Sequence, residues 1–160
     1  MQLYLIRHAH ALSEEQDPGR PLSPKGRAQV KRLAKFLRAQ PAFAPAEIWH
    51  SPLARSRQTA RLLARALAPH ATLTETPGLE PEADARLTAK RLKPTPAALA
   101  IVGHEPHLGV LAALLVTGVA KPGAFKLRKA SVLCLDRDPA APSSLWRVRW
   151  LLDPELLELR

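Results

Sequence analysis

Short apolar runs alternate with longer amphipathic stretches along the chain, and several runs end abruptly in a charged residue. Leu3-Tyr4-Leu5-Ile6 is the first run. Its shortness and polar flanks predict a strand buried at the centre of a sheet. Residues 11–21 are rich in charge, Pro and Gly and read as a loop over the end of that strand. Ser23 followed by Pro24 predicts a helix N-cap with proline at the first helical position. Val30, Leu33, Ala34 and Leu37 then recur at helical spacing to about Arg38, with Lys31, Arg32, Lys35 and Arg38 opposite them. Gly26 weakens the first turn. Its position suggests a close approach of backbone or ligand, but a chance occurrence is the favoured reading.

Residues 40–46 form a connector and 47–51 a second strand. Ser51-Pro52 predicts another cap, opening a helix over 53–68 that buries Ala54, Leu62 and Ala66. Arg55 falls in its first turn, whereas Arg57, Arg61 and Arg65 read as solvated. Residues 72–76 read as an edge or third strand, and Leu79-Glu80-Pro81 leads into a weak helix over 82–92. Residues 97–102 are the most apolar strand, ending in Gly103-His104-Glu105-Pro106-His107. Gly103 permits a tight turn there. Pro106 opens a helix through Leu108, Leu111, Ala112 and Leu115 that stops at Gly118. Residues 125–136 and 145–152 predict a strand pair around the Pro-rich turn 138–144, and 155–160 are a short tail.

Composition narrows the class. At 160 residues and 46% hydrophobic, one globular domain over residues 1–160 is expected, with Leu, Ala and Val filling a core that has only 4% aromatics. No apolar run has membrane-spanning length, and no signal peptide is expected, so a cytoplasmic protein is predicted. Cys134, the only cysteine, is read as a small buried hydrophobe. The net charge of +10 invites a nucleic-acid partner. However, the basic residues are spread along helices, without aromatic interleaving or zinc-finger spacing. Attraction of an anionic substrate explains the charge equally well.

Three junctions where a strand meets a loop carry the chemistry: Arg7 with His8, Arg55, and His104. In open α/β folds ligands bind at the carboxyl ends of parallel strands. A guanidinium fits phosphate oxygens, and a neutral imidazole is a nucleophile or base. Arg55 sits at a helix start, where a cation is mildly unfavourable until an anion joins it. If the strands are neighbours, one histidine can attack phosphorus while the other three groups hold its oxygens. Two arginines can neutralise the phosphoryl charge, so no metal and no cofactor is expected. Clustered carboxylates, HExxH and the GxxxxGK[ST] loop are all absent from the sequence.

Leu5-Ile6-Arg7-His8-Ala9, Ser51 through Ala60 (SPLARSRQTA) and Val102-Gly103-His104 resemble the histidine phosphatase (phosphoglycerate-mutase-like) superfamily. Arg20 through Gly26 (RPLSPKG) and Trp150 through Pro154 (WLLDP) resemble its small SixA-type phosphohistidine phosphatase branch. The resemblance covers nearly the whole chain, in order. It implies an α/β three-layer sandwich whose central sheet of about six strands is mostly parallel, with one antiparallel strand. It implies His8 as phosphorylated nucleophile and Arg7, Arg55 and His104 as the phosphate pocket. Ala9 stands where the family has glycine, which ordinary backbone torsions would tolerate. The lobe that carries a glutamate acid in larger relatives has no room in this length. Glu80 is the first candidate for proton donor, followed by Glu105 and His107; His10 and Arg20 are further candidates for the site.

These readings predict a phosphatase acting on phosphohistidine in a protein of the histidine-phosphotransfer type. A small phosphorylated substrate is the alternative, and a non-catalytic module gripping phosphorylated ligands is the alternative of another class. No nucleic acid or membrane partner is expected, and oligomeric state is left open.

Overall fold

Each of the first four strands runs toward the same end of one sheet, and the helix that follows it returns along a face. The computed structural model describes residues 1–39, 43–141 and 143–157. Its elements are β1 (Gln2–Arg7), α1 (Pro24–Arg38), β2 (Glu47–His50), α2 (Ala54–Leu67), β3 (Thr72–Glu75), α3 (Ala85–Arg91), β4 (Leu99–Gly103), α4 (His107–Thr117), β5 (Val132–Asp136) and β6 (Arg147–Leu152). The sheet order is β3-β2-β4-β1-β5-β6. β1 to β4 are mutually parallel, β5 opposes β1, and β6 opposes β5. One strand therefore runs against the other five, as the family resemblance implies. Part of the connector 40–46, one residue of the turn 138–144 and residues 158–160 of the tail lie outside the described residues.

Side chains alternate across the central strands. Tyr4, Ile6, Ala100 and Val102 pack under α1 and α2 with Val30, Leu33, Leu37, Ala60 and Leu63. Leu3, Leu5, Leu99 and Ile101 pack on the opposite face with Leu108, Leu111 and Leu115 of α4 and Ala85 of α3. Full burial of each such aliphatic side chain contributes about 1.5–3 kcal/mol. The result is a three-layer sandwich with helices on both faces. Cys134 is buried in β5, where burial raises its thiol pKa to about 11 and makes it unreactive.

Several local expectations change. α2 starts at Ala54 with Leu53 at the cap, not Ser51, whose hydroxyl meets His104 Nε2 and Leu53 N. Its fully buried stripe is Ser56, Thr59, Ala60, Leu63 and Ala64, whereas Leu62 and Ala66 are half-buried. The hydroxyls can go inside because Ser56 donates to Val102 O (2.6 Å) and Thr59 to Arg55 O (2.8 Å). α3 is shorter than the predicted 82–92, since Asp84 caps it by accepting from Arg86 N. Residues 125–131 are loop rather than strand, and Ala130 at φ 63° breaks the extended run before β5.

Gly26 is not incidental. A Cβ there would lie 1.9 Å from the His10 carbonyl oxygen. Backbone meets backbone at the start of α1, and only glycine leaves room. Gly103 has no positive φ; its hydrogen side lies against Leu108, so it serves packing rather than the turn. Gly118 ends α4 in the left-handed conformation at φ 77°, as predicted.

Candidate active site

The sheet order brings the carboxyl ends of β2, β4 and β1 side by side. Arg7 is in register with Gly103, and His50 with Val102. Residues 8, 51 and 104 therefore leave the sheet at one level. His8 N donates to Gly103 O (3.0 Å) and Ser51 N to Val102 O (3.2 Å), extending the ladder one step beyond the strands. The rings of His8 and His104 meet with centroids 4.9 Å apart, tilted by 53°. Two imidazoles separated by 96 positions in sequence thus share one end of the sheet.

His8 is 7% exposed. Its Nδ1 is 2.7 Å from the Ala9 carbonyl oxygen. A carbonyl can only accept, so Nδ1 carries the hydrogen and Nε2 presents its lone pair. Burial depresses the His8 pKa to about 3, with the Arg55, Arg7 and Lys129 charges adding to the effect and the Ala9 carbonyl opposing it. The ring is neutral throughout the physiological range. Ala9 is fully buried and lacks a positive φ, so its methyl group meets the condition for replacing glycine. Thr59 of α2 holds this corner by accepting from Ala9 N (3.2 Å).

His104 is equally constrained. Its Nε2 is 2.9 Å from Ser51 Oγ, and Ser51 Oγ also accepts from Leu53 N (3.2 Å). The fully buried hydroxyl then has one hydrogen to place, and donating it to Nε2 satisfies both groups. That assignment puts the ring hydrogen on Nδ1, which is buried and has no partner among the described residues. Arg7 Nε is buried and unpartnered in the same way. Burial depresses the His104 pKa to about 3, followed by the charges of His8, Arg55, His107 and Arg7.

Arg7 donates through Nη1 to the Leu127 carbonyl (2.8 Å). Burial lowers its pKa, against the opposing charge of Glu105. Arg55, half-buried at the start of α2, is lowered by burial and by Arg20. Both guanidiniums act on both histidines. Donors and cations that repel one another here share a single remedy, an oxyanion among them.

The other candidates are dispersed. Glu80 accepts from Gly78 N (2.7 Å), and its charge is felt at His107. His107 is buried, with Nε2 3.1 Å from Thr88 Oγ1. Burial lowers its pKa against the pull of Glu80 and Asp84. Glu105 accepts from Leu127 N (2.9 Å), and burial raises its pKa; it braces the loop whose carbonyl holds Arg7. His10 pairs through Nδ1 with Ser23 Oγ (2.8 Å) at the start of α1. Arg20, at φ 48°, reaches Leu12 O (3.4 Å) through Nε and is felt at Arg55.

Lys129 and Ser51 escaped the sequence reading as site residues. Lys129 acts on His8 and His10, and its own pKa is lowered by burial and then by Arg7, Arg20 and Lys25. Reading residues 125–136 as strand hid it. Because β5 opposes β1, the amino end of β5 lies at the site, and the cluster Lys126, Arg128, Lys129 ahead of that apolar run was the available signal. Arg7, His10, Lys25 and Lys129 line a cavity of about 310 Å³ at this rim.

Ser51→Ala tests the tautomer argument. It removes the donor that keeps hydrogen on His104 Nδ1, and kcat for p-nitrophenyl phosphate is expected to fall about tenfold, whereas Ser51→Thr keeps most of it. An alanine variant with unchanged kcat would remove Ser51 from any role in positioning His104.

The sequence profile of the histidine phosphatase superfamily (branch 1) matches residues 3–85. The chain belongs to the histidine phosphatase superfamily. Its sequence is 35% identical over 143 residues to an uncharacterized protein of Picosynechococcus sp., covering 84% of each chain. Among solved structures it is similar to the protein histidine phosphatase SixA complexed with tungstate, at 25% identity and a TM-score of 0.83 over 98% of this chain and 99% of that one. It shares its fold with the α-ribazole phosphatase of Shigella flexneri, at 17% identity and a TM-score of 0.69 over 96% and 97% of the two chains. The phosphoglycerate-mutase-like sandwich and the SixA-type architecture are those the resemblance implied. This histidine phosphatase is a hydrolase of phosphorylated substrates.

Proposed function

We propose that the protein hydrolyses phosphohistidine in a phosphorylated protein, through a covalent phosphohistidine on His8. The observation that carries this is the pairing of His8 and His104 at 4.9 Å within the field of the Arg7 and Arg55 guanidiniums, with His8 Nδ1 committed to the Ala9 carbonyl. His8 Nε2 attacks phosphorus and forms an N–P bond as the bond to the leaving group breaks. The Ala9 carbonyl, accepting from Nδ1, stabilises the imidazolium that develops. Arg7, Arg55 and His104 Nδ1–H hold the phosphoryl oxygens. Water then attacks the same phosphorus, the N–P bond breaks, and phosphate leaves with His8 neutral again.

A protonated imidazole is a good leaving group, so a phosphohistidine substrate needs little from a protein acid. That suits a site where Glu80 acts on His107 and Glu105 bonds to Leu127 N. The rim cavity beside Arg7, lined by His10, Lys25, Gln29, Arg128, Lys129 and Glu155, adds cations next to the pocket, which suits an anionic phosphorylated side chain. The SixA similarity supports the same substrate class. Two guanidiniums replace a metal in this scheme, and we place the activity in one domain, in the cytoplasm; no helix among the described residues is long and apolar enough to cross a membrane.

The test compares kcat/KM for a protein carrying phosphohistidine, p-nitrophenyl phosphate and a panel of sugar and nucleoside monophosphates, each with and without a chelator. The phosphohistidine protein is expected to lead by at least about tenfold, unaffected by the chelator. A sugar or nucleoside phosphate in the lead would replace this reading with a small-molecule phosphomonoesterase. Absence of turnover on every substrate, with phosphate still bound, would indicate a binding module.

A further inference from the structure

The charge of this protein is not spread evenly once the chain is folded. α1 and α2 carry ten of its 24 lysines and arginines and none of its 14 acidic residues. The remaining segments, with 14 of each sign, are neutral in sum, so the whole excess of +10 rests on two helices. The two helices lie on one face of the sheet. Lys25, Arg27, Lys31, Arg32, Lys35, Arg38, Arg61 and Arg65 are all exposed on it.

Stability does not ask for this. Like charges three and four positions apart on a helix are destabilising, and neither helix has an acidic residue in its first turn. Part of the face is a groove of about 810 Å³ between the helices. Val30, Ala34, Leu62 and Ala66 line it, and Arg27, Lys31, Lys35 and Arg65 stand around them. Arg38 ties the far ends together, donating through Nη2 to Ala66 O (3.0 Å). The groove is lined along α1 from Arg27 to Arg38, about 17 Å, room for roughly three turns of a docked helix.

We propose that this groove docks an acidic amphipathic helix of a partner protein. An apolar floor between cationic walls calls for an apolar stripe flanked by carboxylates, which such a helix presents. A second copy docked through the same face would set cations against cations, and its remaining segments are neutral in sum. A membrane would want large apolar side chains to insert, and the exposed ones, Leu73, Leu87, Val119, Leu145, Val148 and Leu151, all lie off these two helices. Single-stranded nucleic acid would want aromatic faces for stacking, and the only aromatic on either helix, Phe36, packs against the core.

The groove leads to the pocket. α1 is capped by Ser23, which bonds His10, and Arg55 is the second residue of α2. A protein seated in it holds a neighbouring side chain at the strand ends. That the docked protein is also the phosphorylated substrate rests on the function proposed above; the docking does not.

The experiment uses the full chain and a fluorescent, hydrocarbon-stapled Leu/Glu peptide of helical amphipathic spacing, followed by anisotropy at about 0.15 M salt. The triple variant Lys31→Glu, Lys35→Glu, Arg65→Glu is expected to bind it at least tenfold more weakly. A stapled peptide of the same composition with its leucines scattered around the helix is expected to lose a similar factor, since charge alone does not fill the floor. Equal binding by wild type and variant, or equal binding of the two peptides, overturns the proposal. So does tighter binding of duplex DNA or of phosphatidylglycerol vesicles than of the amphipathic peptide. Hydrolysis of p-nitrophenyl phosphate by the triple variant is expected to be unchanged. Docking can therefore fail while the phosphatase reading stands, and the reverse.

Discussion

His8→Ala is expected to lower kcat for any phosphorylated substrate by on the order of 10⁴-fold or more, the scale on which removing a covalent nucleophile acts. The neighbouring groups do not supply a substitute. His104 has its Nε2 held by the Ser51 hydroxyl and a hydrogen on Nδ1, so it offers no lone pair to phosphorus. Arg7 and Arg55 remain cationic, and phosphate binding should persist in the variant. Rapid-quench labelling checks the intermediate directly. Wild type should trap labelled phosphate in an acid-labile, base-stable bond on His8, and the variant should trap none. The variant should also keep its fold, because His8 sits just beyond the end of β1 and its backbone bond to Gly103 O (3.0 Å) survives the substitution. Turnover within about tenfold of wild type, from a protein shown to be folded, would remove His8 as nucleophile.

The second large effect lies outside the chemistry. Gly26→Ala should destabilise the protein by about 2 kcal/mol or more, although alanine is the better helix former by about 1 kcal/mol. The new Cβ would stand 1.9 Å from the His10 carbonyl oxygen, 2.9 Å from its carbonyl carbon and 3.1 Å from its nitrogen. All three are backbone atoms, so no rotamer change relieves the contact. The segment that has to move is the one that carries Ala9, whose carbonyl holds the His8 ring. Activity should therefore fall with stability. Urea unfolding of Gly26→Ala beside Gly19→Ala separates this from a general intolerance of alanine, because the nearest neighbour at Gly19 is the end of the flexible Asp17 side chain at 3.2 Å. A Gly26→Ala variant as stable as wild type would show that the backbone crossing yields easily.

Both effects turn on the ends of strands. Residues there are adjacent in space for reasons that lie in pairing rather than in sequence distance. β4 inserts between β2 and β1, so His104 comes to lie beside His8 although nearly a hundred residues separate them. The apolar runs and their basic or imidazole endings were readable because a buried strand must be apolar and must stop where the sheet stops. Arg7, His8 and His104 could be named on that basis, and Arg55 as a cation at a helix start. Glu80 could not be tested in the same way: its position in a Pro-rich loop suggested the pocket, whereas its carboxylate folds back onto Gly78 N.

What the linear chain determined by itself was local and periodic. Helical spacing of Val30, Leu33, Ala34 and Leu37, the Ser23-Pro24 cap, the Gly118 stop and the short apolar strands follow from burial and capping rules that act over a few residues. Tertiary structure alone decided what depends on a distant partner. It made Gly26 obligatory through His10, buried Ser56 and Thr59 by satisfying their hydroxyls, and turned Ser51 from a cap into the partner of His104. It brought Lys129 to the site through the reversed direction of β5. It also gathered eight exposed cations, unremarkable along two separate helices, onto one face. Hydrogen bonds, steric contact and Coulomb forces depend on distance in space, and folding sets that distance where sequence separation does not.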